Sequence, residues 1–128
     1  MADSLLNVRF ALVDDNEADI FFAEILLKRE GASAIQSFPG GQEFIDAVHG
    51  GLECDIIFMD IRMPIMDGFE TIDTLSAEGA FERMGARVFM ISAATNSEDI
   101  ERSQAADAIE GLYQKPLTPM ALAEMNLQ

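Results

Sequence analysis

The chain has 128 residues, enough for about one domain built around a single hydrophobic core. Hydrophobic residues make up 49% and charged residues 24%, the balance of an ordinary soluble globular protein rather than of a disordered or membrane-embedded one. Eight Lys and Arg stand against 23 Asp and Glu, and the formal net charge of −15 repels phosphate backbones and anionic lipid, which disfavours nucleic acid and membranes as partners.

The N-terminus, Met1-Ala2-Asp3-Ser4-Leu5-Leu6, carries an acid where a secretory signal would have basic residues, and no apolar run approaches the length of a membrane span. A cytoplasmic protein is expected. Residues 8–13 read as a first strand that runs into Asp14-Asp15-Asn16. Residues 17–30 read as a helix stopped by Gly31, with an apolar arc of Ile20, Phe21, Phe22, Ala23, Ile25, Leu26 and Leu27 wider than one sheet face can cover. Burial against neighbouring helices is the first expectation for this excess, and a docking face for a partner helix is the second. A second strand over 34–38 ends at Pro39-Gly40-Gly41, which opens a helix over 41–48. His49, the sole histidine, reads as a C-terminal helix residue rather than a functional one.

Cys54 is the single cysteine; it excludes an internal disulfide, suits a reducing compartment and reads as buried filler. The third and fourth strands, 55–59 and 87–91, are apolar at successive positions, so both of their faces should be buried and they belong in the centre of the sheet. Between them, Met63 and Met66 flank a loop and could supply a pliable contact surface, and 68–77 reads as a helix. The helix over 97–106 starts at Asn96, with Asp99 three residues on, and offers only Ile100, Ala105 and Ala106 as apolar anchors. Its attachment should be weak, as suits either a conformational switch or a frayed surface helix. A fifth strand over 111–114 and a helix over 119–127 complete the alternation. The pattern implies one α/β domain over 1–128, a parallel sheet with helices on both faces, with no room for an appended output domain.

In such a sheet, functional groups gather outside the carboxyl ends of the strands. Here the first strand runs into Asp14 and Asp15, the third into Asp60, the fourth into Ser92 and the fifth into Lys115. Three carboxylates brought together repel one another by several kcal/mol per pair at short range. Lys115 alone cannot neutralise them, and an all-oxygen set that leaves room for water and phosphate suits Mg²⁺. A carboxylate beside Mg²⁺, a lysine and a hydroxyl can accept a phosphoryl group, giving an aspartyl phosphate. Asp14 and Asp15 taken alone could equally cap the first helix, Ser92 could satisfy local backbone, and Lys115 could be solvated; their common placement at strand ends is what favours chemistry.

Val13-Asp14-Asp15-Asn16, Phe58-Met59-Asp60-Ile61-Arg62-Met63-Pro64 with Met66-Asp67-Gly68, Ile91-Ser92-Ala93 and Tyr113-Gln114-Lys115-Pro116 together resemble the four signature segments of response-regulator receiver domains, of the single-domain kind typified by chemotaxis regulators. The resemblance implies a three-layer, doubly wound five-stranded sheet in the flavodoxin-like order 2-1-3-4-5. It implies a phosphoacceptor at Asp60, a direct Mg²⁺ ligand at Asp15, an acid holding a metal-bound water at Asp14 and a backbone carbonyl from Arg62 on the metal. By the same resemblance Ser92 is the hydroxyl that moves to the phosphoryl group, Lys115 the site lysine, Tyr113 the switch aromatic, and Lys115-Pro116 a cis bond. Gly68 matches the turn glycine after the acceptor loop, Ala93 keeps the approach open, and Arg62 and Ala94 occupy positions that tune hydrolysis. The implied partners are a histidine kinase or histidine phosphotransfer protein and a downstream protein, met through a face that includes Ile100, Ala106, Tyr113 and Met120, with a monomer or a weak phosphorylation-dependent dimer as the assembly.

Three rivals remain at this point. A flavin-binding electron carrier of similar topology would need a Ser/Thr/Gly-rich phosphate loop where this chain has Asp14-Asp15-Asn16. A phosphohydrolase with an Asp nucleophile would want a second acid near Asp60, and the residue two places on is Arg62. A degenerate receiver would act as a phosphorylation-independent binding module, against which the complete set of acids, hydroxyl and lysine argues.

Overall fold

The computed structural model describes residues 5–127; the acidic start read above at residues 1–4 lies outside them. The elements run β1 (Arg9–Val13), α1 (Glu17–Arg29), β2 (Ala34–Phe38), α2 (Gly41–His49), β3 (Ile56–Asp60), α3 (Gly68–Ala77), α4 (Ala80–Met84), β4 (Arg87–Ser92), α5 (Ser97–Ala105), β5 (Ile109–Gln114) and α6 (Pro119–Met125). The strands form one parallel sheet in the order β2-β1-β3-β4-β5. This is the doubly wound, flavodoxin-like order 2-1-3-4-5 that the resemblance implied.

Strand alternation builds the two cores. Ala11, Val13, Ile57, Met59, Val88 and Met90 face α2, α3 and α4, where they meet Phe44, Ile45, Ile72, Leu75 and Phe81. Phe10, Leu12, Ile56, Phe58, Phe89 and Ile91 face the opposite layer, where Leu27 of α1 and Leu122 and Met125 of α6 cover them. β3 is buried along its whole length and β4 nearly so, as central strands of a parallel sheet must be. Cys54 is buried among the first of these groups, and burial pushes its thiol up to about 11.

Several expectations are corrected. The excess apolar arc of α1 is only partly covered: Leu27 is buried and Ile20, Ala23 and Leu26 are half-buried, but Phe21 and Phe22 remain 66% and 51% exposed. Ile100 does not anchor α5; it is 43% exposed, while Asp99 and Ser103 occupy the inner side of that helix. Met63 is buried in the core rather than offered to a partner, and the exposed apolar residue of its loop is Ile65. Asn16, not Asp14 or Asp15, caps α1, its side chain accepting from the Asp19 amide at 3.0 Å. Helix α4 was not expected at all: five residues between Gly79 and Gly85, both at φ 68, are too short to show a periodicity. β5 starts two residues before its expected Gly111 because the ladder shifts between Val88 and Phe89, leaving Glu110 unpaired in a bulge.

One placement fixes a strand end and another joins two helix ends. Gly68 opens α3 directly against β3: a Cβ at Gly68 would collide with the Asp60 carbonyl oxygen, so close approach, rather than a left-handed turn, requires glycine there. His49 ends α2 and meets Glu78 at 2.9 Å, the C-terminal role expected of it.

Candidate functional site

The carboxyl ends of β1, β3, β4 and β5 open on one edge of the sheet. Asp14 follows β1, its backbone N–H donating to the Phe38 carbonyl at 3.0 Å while its side chain accepts from the Asn16 amide at 3.0 Å. These two bonds fix the direction of the Asp14 carboxylate. Asp60 is the last residue of β3 and is 6% exposed. Carboxylate oxygens of Asp14, Asp15 and Asp60 lie within 4.8 Å of one another. Lys115 directly follows β5 and is joined to Pro116 by a cis bond; its Nζ lies 2.7 Å from Asp14 Oδ2 and 3.3 Å from Asp60 Oδ1. Its backbone N–H donates to the Ser92 carbonyl at 2.8 Å, tying the β5 end to β4.

One ammonium among these acids leaves the site short of positive charge. Burial, then the neighbouring Asp14 charge, pushes the Asp60 carboxyl up to about 7, although Lys115 pulls the other way. Burial works against the charge on Lys115, but hydrogen bonds to Asp14 and Asp19 outweigh it and hold the lysine above its ordinary range. A divalent cation among the three carboxylates would relieve the repulsion, and oxygen donors without His or Cys suit a hard ion. The acids fit the metal that the sequence implied.

Ser92 is 1% exposed, and its hydroxyl donates to the Ala94 carbonyl at 2.8 Å, the local backbone bond anticipated as its alternative role. Its position is nevertheless beside the acids, since β3 and β4 pair Asp60 with Ile91, one residue before Ser92. Tyr113 is half-buried at the edge strand, with its ring 6.2 Å from that of Phe89. Arg62 sends its guanidinium away from the site, 2.6 Å to Asp99 Oδ2 on α5.

Two participants escaped the sequence reading. Asp19, in the first turn of α1, accepts from Lys115 Nζ at 2.8 Å. Asp99 is buried and holds Arg62. Both looked like ordinary first-turn acids near a helix N-terminus, and the only available signal for Asp19 was its position one turn beyond the Asp14-Asp15 pair.

A family model described as the response regulator receiver domain matches residues 10–126. The chain belongs to this receiver family. Among curated proteins, the sensor protein GacS of Pseudomonas syringae pv. syringae is 27% identical to this receiver over 120 residues, which is 94% of the chain and 13% of GacS. The chain thus spans a small fraction of that relative's length. A two-component response regulator from Cytophaga hutchinsonii superimposes with TM-score 0.84 at 25% identity, covering 91% of this chain and 92% of that one. The receiver domain of the histidine kinase CKI1 from Arabidopsis thaliana, solved in complex with Mg²⁺, superimposes with TM-score 0.77 at 25% identity over 98% and 96% of the two chains. The four signature segments all fall inside the matched residues. This is a receiver domain of the two-component phosphorelay type, a signalling module. Among the described residues no helix is long and apolar enough to cross a membrane.

Proposed function

We propose that this receiver accepts a phosphoryl group on Asp60 from a phosphohistidine of a histidine kinase or histidine phosphotransfer protein, in a Mg²⁺-dependent reaction. The observation that carries the reading is the convergence of Asp14, Asp15, Asp60 and Lys115 at the strand ends. An Asp60 oxygen attacks phosphorus in line, the Asp60 O–P bond forms as the phosphorus–nitrogen bond breaks, and the imidazole leaves with the electron pair. Asp14, Asp15, Asp60 and the Arg62 carbonyl would hold Mg²⁺, which when bound offsets the charge on the equatorial phosphoryl oxygens.

Lys115 turns an N–H from Asp60 Oδ1 to a phosphoryl oxygen. The Ser92 hydroxyl exchanges the Ala94 carbonyl for another phosphoryl oxygen, a rotation of one side-chain torsion. Tyr113 responds to the vacated space, and Ala93 and Ala94, both exposed, leave the approach open. Hydrolysis of the acyl phosphate by water returns Asp60. Apart from catalysing its own phosphorylation and dephosphorylation, the protein is not an enzyme. Output passes to a downstream protein through α5, β5 and α6, where Ile100 and Met120 are 43% and 76% exposed beside half-buried Ala106 and Tyr113. The reading fits a single receiver over 1–128 acting in the cytoplasm as a monomer or a weak phosphorylation-dependent dimer.

Beryllofluoride, an analogue of the phosphoryl group, tests the reading by amide NMR titration with and without Mg²⁺. Shifts around Asp60, Ser92 and Lys115 should need Mg²⁺ and be absent from Asp60→Asn. A response independent of Mg²⁺, or unchanged in Asp60→Asn, overturns the proposal.

A further inference from the structure

The ammonium of Lys115 has three N–H donors, and three carboxylates surround it: Asp14 at 2.7 Å, Asp19 at 2.8 Å and Asp60 at 3.3 Å. Two of these acids belong to the group whose oxygens converge within 4.8 Å; Asp19 does not. It comes from the first turn of α1, and its side chain is 38% exposed where those of Asp14 and Asp60 are 10% and 7% exposed. A cation or a phosphoryl group in the pocket competes with Lys115 for Asp14 and Asp60. Neither competes for Asp19.

We propose that Asp19 is the positioning residue for Lys115, a tether outside the metal pocket that keeps the ammonium at hydrogen-bonding distance from Asp60 while the other two acids change partners. The idea rests on the phosphoacceptor reading for its consequence, but not for the tether itself. Without Asp19 the lysine has only the pocket acids to pair with, so it follows them, and its N–H groups are no longer aimed where the phosphoryl oxygens arrive. A charge-assisted hydrogen bond that fixes a catalytic cation is worth about a tenfold change in rate. Asp19→Asn keeps an acceptor oxygen in the same place and separates the bond from the charge.

Two measurements on the full chain decide the matter. In the first, the Lys115 ζ-ammonium is observed by ¹H–¹⁵N NMR at low temperature, where a held ammonium gives a cross-peak and a solvated one exchanges it away. The peak should be present in the native chain and in Asp19→Asn and absent or strongly shifted in Asp19→Ala; an unchanged peak in Asp19→Ala overturns the tether. In the second, phosphorylation by phosphoramidate is followed at saturating Mg²⁺. Asp19→Ala should slow it about tenfold, Asp19→Asn should recover most of the rate, and Asp19→Ala should cost nothing further in a Lys115→Ala background. The same fold-loss in that background would mean that Asp19 acts without the lysine, and the proposal fails. If the native chain takes up no phosphoryl group, the proposed function fails, and the ammonium peak still decides the tether.

Discussion

Helices α3 and α5 flank the same sheet face but are fastened to it by opposite means. α3 buries Phe69, Ile72 and Leu75, together with Thr71, whose hydroxyl is satisfied by the Asp67 carbonyl at 2.8 Å. α5 buries Asp99 and Ser103, with the Ser103 hydroxyl lacking a hydrogen-bond partner. What holds α5 is ionic and aromatic: Arg62 to Asp99 at 2.6 Å, and Arg102 placed 4.5 Å from the Phe69 ring centre and 3.5 Å from Asp73. Hydrophobic burial is not weakened by charge screening, whereas ion pairs with an exposed partner are. Two helices on one face therefore answer to different conditions.

The sharpest way to break this comparison is Ile72→Ala, which should cost about 3 kcal/mol of global stability through the lost transfer energy and the cavity left behind. The loss should be nearly independent of salt in urea unfolding; a strong salt dependence would put α3 in the same class as α5.

Next in size is the site itself, where burial and then the neighbouring Asp14 charge weigh against an ionised Asp60. The folded Asp60 carboxyl, at about 7, lies above its ordinary 3.8, so folding favours its neutral form. That contribution is complete below about pH 4 and is lost as pH rises through about 7. Asp60→Asn should therefore flatten the decline across this window and stabilise the cation-free protein by about 2 kcal/mol at pH 8, checked by urea titrations in chelator. A variant less stable than the native chain at pH 8 would mean that the acids are not in conflict.

Asp99→Ala comes third, at about 1–2 kcal/mol, because Arg62 is exposed enough to rehydrate once its partner is gone. Hydrogen exchange should speed up over residues 97–105 with little change in α3, and 0.5 M salt should produce a weaker version of the same pattern in the native chain. Equal acceleration in both helices would erase the distinction. Smallest is Ile100→Ala, expected to stay within about 0.5 kcal/mol because the side chain is already exposed. A loss above about 2 kcal/mol would restore it to the core.

The fold was legible where apolar spacing speaks for itself. The run from Ile56 to Met59 could only be a central strand, and Phe69, Ile72 and Leu75 mark one helix face. Asp14, Asp15, Asp60 and Lys115 were legible for a related reason: each follows an apolar strand, where topology leaves one edge to gather them. Ile100 misled because an isolated apolar residue on a polar helix looks like an anchor, and only the position of Arg62 shows why Asp99 takes the inner place instead. Asp19 was hidden in the same way, since its partner lies 96 residues away and its own neighbourhood is that of a common helix start. Pairings between distant charges leave no period in the chain.

The absent side chain at Gly68 has a mechanical meaning. With bare backbone pressed on the Asp60 carbonyl, and the Gly68 N–H donating to the Ile61 carbonyl at 2.9 Å, the start of α3 has no slack relative to the end of β3. That corner behaves as a fixed abutment. The Arg62 to Asp99 link is of another kind, a side-chain pair whose guanidinium is 56% exposed, with no backbone pressed on backbone.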